Sequence, residues 1–296
     1  MGIVTKSFGS GEVIIREGEA GTSFFKLNDG NVGVYSDYGV KDKEPFRVAL
    51  LSKGDYFGEM AIIESDKRSA TIVAECSVKV TEIPKTDMNA YFEENPDEIY
   101  LFMKHLGNKV RQMISDYDEA KALLKSAQEE AASKKSLFSI FKKRISQYQP
   151  PETDIPEPDA DYFRRELEKI TDEGSGRIKS YAKGDVIYKP GDKDNCMFIV
   201  RGGTVSLTDK DNSSKDLTEV SFFGEMGLIA DESRTETATV TSDEAYVEII
   251  YPDDLPVVFN ACPIKINLIL TYLSFRLRRL TIDFVDICKE ITENYG

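Results

Sequence analysis

The chain holds a single histidine, His105, in 296 residues, and it has no tryptophan. One imidazole cannot build a multi-histidine zinc site. No Gly-x-Ser-x-Gly turn and no Cys/His signature is present either, so a nucleophilic triad has no support and an enzyme is not expected. Cysteine is scarce: Cys76, Cys196, Cys262 and Cys288 are widely spaced and form no Cys-x-x-Cys pair. They suit a reducing compartment as small buried apolar groups. Apolar runs fall far short of the ~18 to 20 residues needed to cross a bilayer, so no membrane span is expected. The start, Met1 to Lys6, lacks the basic segment and apolar stretch of a signal peptide, and a cytoplasmic location follows as an expectation. Positive charge is also short, with 38 Lys and Arg against 52 Asp and Glu for a net charge of −14. Such a surface repels phosphate backbones, which disfavours nucleic acid as a partner. Any anion must be met locally.

What the chain does contain is itself, twice. Phe57-Gly58-Glu59-Met60, seven residues, then Arg68-Ser69-Ala70-Thr71 recurs as Phe223-Gly224-Glu225-Met226, seven residues, then Arg234-Thr235-Glu236-Thr237, 166 residues later. Upstream, Gly11-Glu12-Val13-Ile14, Glu17-Gly18 and Gly30 recur as Gly184-Asp185-Val186-Ile187, Pro190-Gly191 and Gly203, 173 residues later. The two offsets differ by seven residues, which places a loop insertion in copy one, most simply between Ser36 and Phe46. Repetition of this kind defines architecture before any single motif does.

Each copy reads as short β-branched and aromatic strands broken by Gly and Asp turns, such as Val13 to Ile15, Phe24 to Leu27, Val32 to Tyr35, Ala70 to Val73 and Val78 to Val80. Strands this short and regular predict a small barrel or jelly roll. A helix should follow each copy. Phe102, Leu106, Val110, Met113, Tyr117, Ala120 and Leu124 recur at steps of three and four after copy one. After copy two, Leu270, Leu277, Phe284 and Ile291, with Leu273, Leu280 and Ile287, recur at strict sevens. The segment Ile266 to Ile291 therefore predicts either a parallel homodimer through a coiled-coil seam or a lid packed on its own barrel. Between the copies, Lys134, Lys135, Lys142, Lys143 and Arg144 flank Leu137, Phe138, Ile140 and Phe141, and Pro150, Pro151, Pro156 and Pro158 then crowd an acidic stretch, as in a semi-stiff connector. The expected organisation is a first domain at 1–132 with its long C-terminal helix, a basic and then proline-rich linker at 133–158, and a second domain at 159–296 opened by a helix from Asp159 to Thr171.

The repeated block has a physical use. Glycine allows close approach of a ligand to the backbone, and the residues after it can turn into a short helix with free N–H groups. An arginine at fixed distance brings a planar charged fork to the same anion, and the glutamate beside the glycine can accept a hydroxyl. A buried Glu–Arg pair can equally be a structural bridge.

In full, Gly-Glu-Val-Ile, Glu-Gly and Phe-Gly-Glu-Met-Ala, closing after seven residues on Arg-Ser-Ala-Thr, resembles the phosphate-binding cassette of cyclic-nucleotide-binding domains. The resemblance implies a mainly β fold with flanking helices: two eight-stranded jelly rolls, each followed by a helical lid, binding cAMP or cGMP without turnover and without a cofactor. It implies that Glu59 holds the ribose 2′-hydroxyl and Arg68 the cyclic phosphate, with Gly58, Met60 and Ala61 giving backbone contacts and Ser69 a hydroxyl beside the arginine. Glu225, Arg234, Gly224, Met226, Gly227 and Thr235 hold the same places in copy two. The tandem arrangement is similar to the regulatory subunits of cAMP-dependent protein kinases and their cGMP-dependent cousins, and each copy to the sensor domain of catabolite activators. An effector protein such as a kinase catalytic subunit is the implied partner. A kinase domain, an inhibitor segment ahead of the first copy and a helix-turn-helix are not expected from these residues. Copy two departs from the pattern at Glu236, where copy one has Ala70 and where a carboxylate near a buried phosphate repels it unless it points away. It also has Val220-Ser221-Phe222 in place of the Gly54-Asp55 turn. A scaffold that keeps the fold and has lost the ligand is the alternative.

Overall fold

A computed structural model describes residues 2–39, 41, 45–59, 67–129, 165–166, 177–230 and 232–295. The chain divides into two compact units. The first takes residues up to Tyr91, the long helix from Gln112 onward, and Ser274 onward; the second takes Phe92 to Arg111 and the chain up to Leu273 from beyond the linker.

The first unit carries β1 (Val4–Phe8), β2 (Val13–Ile15), β3 (Ser23–Asp29), β4 (Asn31–Ser36), β5 (Phe46–Ser52), β6 (Tyr56–Phe57), β7 (Thr71–Ala74) and β8 (Val78–Pro84). They form two four-stranded sheets in the orders β1-β8-β3-β6 and β2-β7-β4-β5, with every pairing antiparallel. Side chains on a strand alternate between faces, and β8 shows the result: Val78 and Val80 are buried while Lys79 between them is exposed. The inward set, including Ile15, Phe25, Leu27, Val32, Phe57 and Ile72, is one apolar core.

The second unit repeats the plan with β9 (Arg177–Ala182), β10 (Val186–Tyr188), β11 (Met197–Gly202), β12 (Val205–Thr208), β13 (Ser214–Leu217), β14 (Phe222–Phe223), β15 (Thr237–Val240) and β16 (Glu244–Ile250). Its sheets run β14-β11-β16-β9 and β10-β15-β12-β13, the same topology strand for strand. Two eight-stranded jelly rolls are therefore present, as expected. Val32 pairs with Leu51 and Val205 pairs with Leu217, so the seven-residue insertion lies inside the β4–β5 hairpin.

Helices follow each barrel. The first barrel leads into α1 (Met88–Glu94) and α2 (Asp97–Glu129), separated at Pro96, which cannot donate a main-chain hydrogen bond. Asp97 and Glu98 in the first turn of α2 complement its dipole. The predicted face is real: Phe102, Leu106, Val110, Met113 and Ala120 are buried. Within the second unit α2 comes close to the short helix α3 (Glu225–Ala230), and a Cβ added at Gly107 would stand 2.6 Å from the Ile229 side chain. After the second barrel come α4 (Leu255–Ala261) and α5 (Pro263–Tyr295). Lys265, in the first turn of α5, is fully buried and gives Nζ to Glu248 Oε1 at 2.8 Å, while Arg201 holds Oε2 of the same carboxylate at 3.0 Å. Sharing one carboxylate between two cations satisfies a charge that burial alone makes costly. The heptad residues Leu270, Leu273, Leu277, Phe284 and Ile291 are buried within the single chain. The linker at 133–158 lies outside the described residues, and so does the helix expected from Asp159 to Thr171 except at Arg165 and Glu166, which are helical. All four cysteines are free thiols.

Candidate functional site

The repeated motifs meet in space. In the first barrel the chain at Arg68, ahead of β7, binds the Glu-Gly turn through main-chain bonds, Gly18 N to Arg68 O at 2.9 Å and Arg68 N to Glu19 O at 2.8 Å. The second barrel repeats this with Gly191 N to Arg234 O and Arg234 N to Asp192 O, both 2.9 Å. Gly18 and Gly191 sit at φ of 79° and 91°, which is why both copies keep glycine there.

Each arginine then reaches inward to its own glycine. Arg68 donates from NH1 to the Gly58 carbonyl at 2.5 Å and from NH2 to the Ser23 carbonyl at 2.6 Å. Arg234 donates from NH1 to the Gly224 carbonyl and from NH2 to the carbonyls of Cys196 at 2.8 Å and Asp194 at 3.1 Å. Gly58 and Gly224 have φ of 77° and 67°, and a Cβ at either would stand 2.6 or 2.7 Å from the guanidinium NH1. Glycine at this place is thus required by backbone conformation and by the arginine together.

The glutamates are inside. Glu59 is fully buried and Glu225 nearly so, and both arginines are buried as well. Burial holds the Arg68 guanidinium below its ordinary pKa, while the negative charges of Glu59, Glu82 and Glu19 pull it back up. In the second barrel Arg234 Nε is buried and has no hydrogen-bond partner among the described residues. The guanidinium lies over the rings of Tyr188 and Phe198, at 4.6 and 5.2 Å from their centroids. Cys196 beneath it is pushed up to about 11 by burial, so this thiol stays protonated.

The other expected site residues fall as follows. Met226 and Gly227 lie in α3, the short helix foreseen after the glycine. A Cβ at Gly227 would also meet Arg234 NH1, at 2.6 Å. Ser69 and Thr235 are exposed beside their arginines. Met60 and Ala61 lie outside the described residues.

One expectation about copy two needs revision. The turn expected to be lost with Gly54 is kept: Val220 adopts φ of 76° where Gly54 has 98°, and Val220 N bonds Val200 O at 2.7 Å as Gly54 N bonds Leu27 O at 2.8 Å. The main chain holds the turn although a β-branched residue is strained there. Glu236 is half-buried, and burial with the charge of Asp209 pushes its carboxyl pKa up against the opposing pull of Lys215.

Sequence patterns did not reveal Tyr272. This α5 residue stacks on Phe222 with centroids 5.2 Å apart, and burial pushes its hydroxyl up to about 12, with Tyr188 and Glu236 adding to the rise. In the sequence it is one aromatic inside an amphipathic helix, with nothing to tie it to β10 or β14.

Among the described residues no group of His, Cys, Asp and Glu could hold a metal ion, and no helix is long and apolar enough to cross a membrane.

Known proteins resemble the chain across both barrels. It is 26% identical over 230 residues to a cGMP-dependent protein kinase of Plasmodium berghei, an alignment covering 78% of this chain and 20% of that protein. The chain thus spans a fifth of that relative's length. Among solved structures, cAMP-bound PfPKA-R (141–441) aligns over 98% of this chain and 81% of its own at 18% identity, with a TM-score of 0.36. A regulatory subunit of a cAMP-independent protein kinase A from Trypanosoma brucei aligns over 88% and 75% at 12% identity, with a TM-score of 0.30. The model of the cyclic nucleotide-binding domain matches residues 5–95 and again 178–253, more than half of the chain. The chain belongs to the cyclic nucleotide-binding domain family.

Proposed function

We propose that the chain is a non-enzymatic sensor of a cyclic purine nucleotide, cAMP or cGMP, with one site in each barrel. Glu59 and Glu225 accept the ribose 2′-hydroxyl, and Arg68 and Arg234 hold the cyclic phosphate. Gly58, Gly224, Met226 and Gly227 give main-chain contacts, as do Met60 and Ala61, and Ser69 and Thr235 offer a hydroxyl beside the phosphate. The observation that carries this proposal is the buried Arg234 Nε without a hydrogen-bond partner among the described residues, in a side chain whose other nitrogens are held by main-chain carbonyls. An unmade hydrogen bond at a buried donor costs about 1–3 kcal/mol, more at a charged group. A ligand-free scaffold has no use for that cost, whereas an incoming phosphate oxygen removes it.

The modules are 1–132 and 159–296, joined through 133–158. The helices after each barrel are the moving parts, and Tyr272 on α5 is the residue that closes on the second site. The effector is a protein, and the kinase identity of the Plasmodium berghei relative supports a kinase catalytic domain in that role. A homodimer through Ile266 to Ile291 is not proposed, because its seam residues Leu270, Leu273, Leu277, Phe284 and Ile291 are already buried in one chain. A cytoplasmic location fits the free thiols.

Calorimetric titration of the chain with cAMP, cGMP and linear 5′-AMP tests the proposal. Saturable binding of a cyclic nucleotide at two sites, with 5′-AMP weaker, is the expected result. Absence of heat with both cyclic nucleotides contradicts it.

A further inference from the structure

Ahead of β15 Arg234 is buried, Thr235 is exposed, and Glu236 is half-buried like Thr237 after it. Glu236 lies in the bend that leads into β15, two residues on from Arg234. Two residues of chain span at most about 7 Å, so a nucleotide whose phosphate lies on Arg234 has its base within reach of Glu236. The surroundings fit a base edge. Asp209 and Lys215, at the loop end of the β12–β13 hairpin, where Thr208 pairs with Thr237, act on the carboxylate from one side. Tyr272 from α5 approaches from another, its hydroxyl feeling both Glu236 and Tyr188, and Tyr188 lies under the Arg234 guanidinium. A line of groups thus runs from the phosphate-binding arginine to the carboxylate. The first barrel has Ala70 at this place and Ile15 where Tyr188 stands.

We propose that Glu236 reads the base in the second site and makes that site select a guanine-type ring, with two adjacent N–H donors, over adenine. The inference rests on the nucleotide-binding proposal above and adds the ligand preference of one site to it. An ionised carboxylate only accepts hydrogen bonds, and it offers two oxygens side by side. Guanine presents N1–H and the N2 amine to such a pair. Adenine presents the acceptor N1 beside its amine, so one carboxylate oxygen faces another acceptor. A site built to pair with donors rejects the analogue lacking them, because its own polar group is left unpaired. The competing account is that Glu236 merely repels phosphate and weakens every cyclic nucleotide alike.

The test uses the full chain carrying Arg68→Ala, which silences the first site, titrated calorimetrically with cGMP, cAMP and cyclic IMP. Cyclic IMP keeps N1–H and lacks the amine. The expected order is cGMP tightest, cyclic IMP between and cAMP weakest, with cGMP ahead of cAMP by at least about fivefold, as a bidentate base contact gives. Glu236→Ala should abolish the difference by weakening cGMP. Glu236→Gln, nearly isosteric and able to pair an amide with adenine, should shift the preference toward cAMP. In a chain carrying Arg234→Ala, adding Ala70→Glu should move the first site toward cGMP. An unchanged ratio, or equal strengthening of cGMP and cAMP by Glu236→Ala, overturns the inference and leaves the nucleotide-binding proposal standing. A second site that binds none of the three nucleotides while wild type binds at the first overturns the inference alone. Wild type that binds none overturns both.

Discussion

Tyr188 lies beneath Arg234, 4.6 Å from ring centroid to guanidinium carbon, at the place where the first barrel carries Ile15. With Phe198 at 5.2 Å, the second arginine rests on two rings, whereas Arg68 meets the Phe25 ring at 5.9 Å. Cation–π contacts of desolvated guanidinium groups contribute about 1–2 kcal/mol. Tyr188→Ile, which copies the first barrel, is expected to weaken nucleotide binding at the second site by about tenfold. Tyr188→Phe keeps the ring and should cost much less. Titration of the two variants in a chain carrying Arg68→Ala checks this, and equal affinities would remove the ring from the account.

Gly224→Ala meets two obstacles. A left-handed backbone costs a non-glycine residue about 1–2 kcal/mol, and the new Cβ would stand 2.7 Å from Arg234 NH1. The arginine must shift, so binding at the second site is expected to fall at least about tenfold with a lower Tm. Gly58→Ala should do the same to the first site only. Stoichiometry by calorimetry separates the two.

Val220 at φ of 76° is the reverse case. Its strain of about 1–2 kcal/mol or more exceeds the roughly 0.5–1 kcal/mol by which glycine loosens the unfolded chain. Val220→Gly is therefore expected to stabilise the second barrel by about 1 kcal/mol, and Val220→Ala by less. Thermal unfolding reads the change. A lower Tm in Val220→Gly would mean that the valine side chain contributes more packing than its backbone costs.

Glu236 makes stability depend on pH. Its carboxyl is raised above the ordinary glutamate range, first by burial and then by Asp209, with Lys215 opposing. For a group raised in the folded state, the stabilising contribution is complete below its unfolded pKa and is lost as pH rises through the folded value. Glu236→Gln removes that loss. Its Tm relative to wild type is expected to be more favourable at neutral pH than at about pH 4. A difference that stays flat across this window would place the carboxylate in water.

The duplicated fold was legible because its signals are local and repeat. Gly18 and Gly191 are fixed by a positive φ, Gly58 and Gly224 by an arginine ten residues on, and each constraint recurs at a constant offset. The hairpin insertion followed from two offsets alone. What stayed hidden depends on partners far apart in sequence. Glu248, Lys265 and Arg201 meet across β16, α5 and β11, and nothing in their local sequence marks a buried ion group. Val220 hides a turn that its neighbours keep by main-chain bonds to Val200, which a residue-type comparison misses. Tyr272 and Glu236 are 36 residues apart and become neighbours only when α5 returns to the barrel.

The central claim, one arginine-dependent nucleotide site per barrel, is tested most directly by calorimetric stoichiometry in three chains: wild type, Arg68→Ala and Arg234→Ala. Two sites per wild-type chain should fall to one in each variant, since leaving a buried charged partner unpaired costs about 3–5 kcal/mol, enough to remove binding there. Variants that both bind with wild-type stoichiometry and affinity would contradict the assignment of Arg68 and Arg234 to the phosphate.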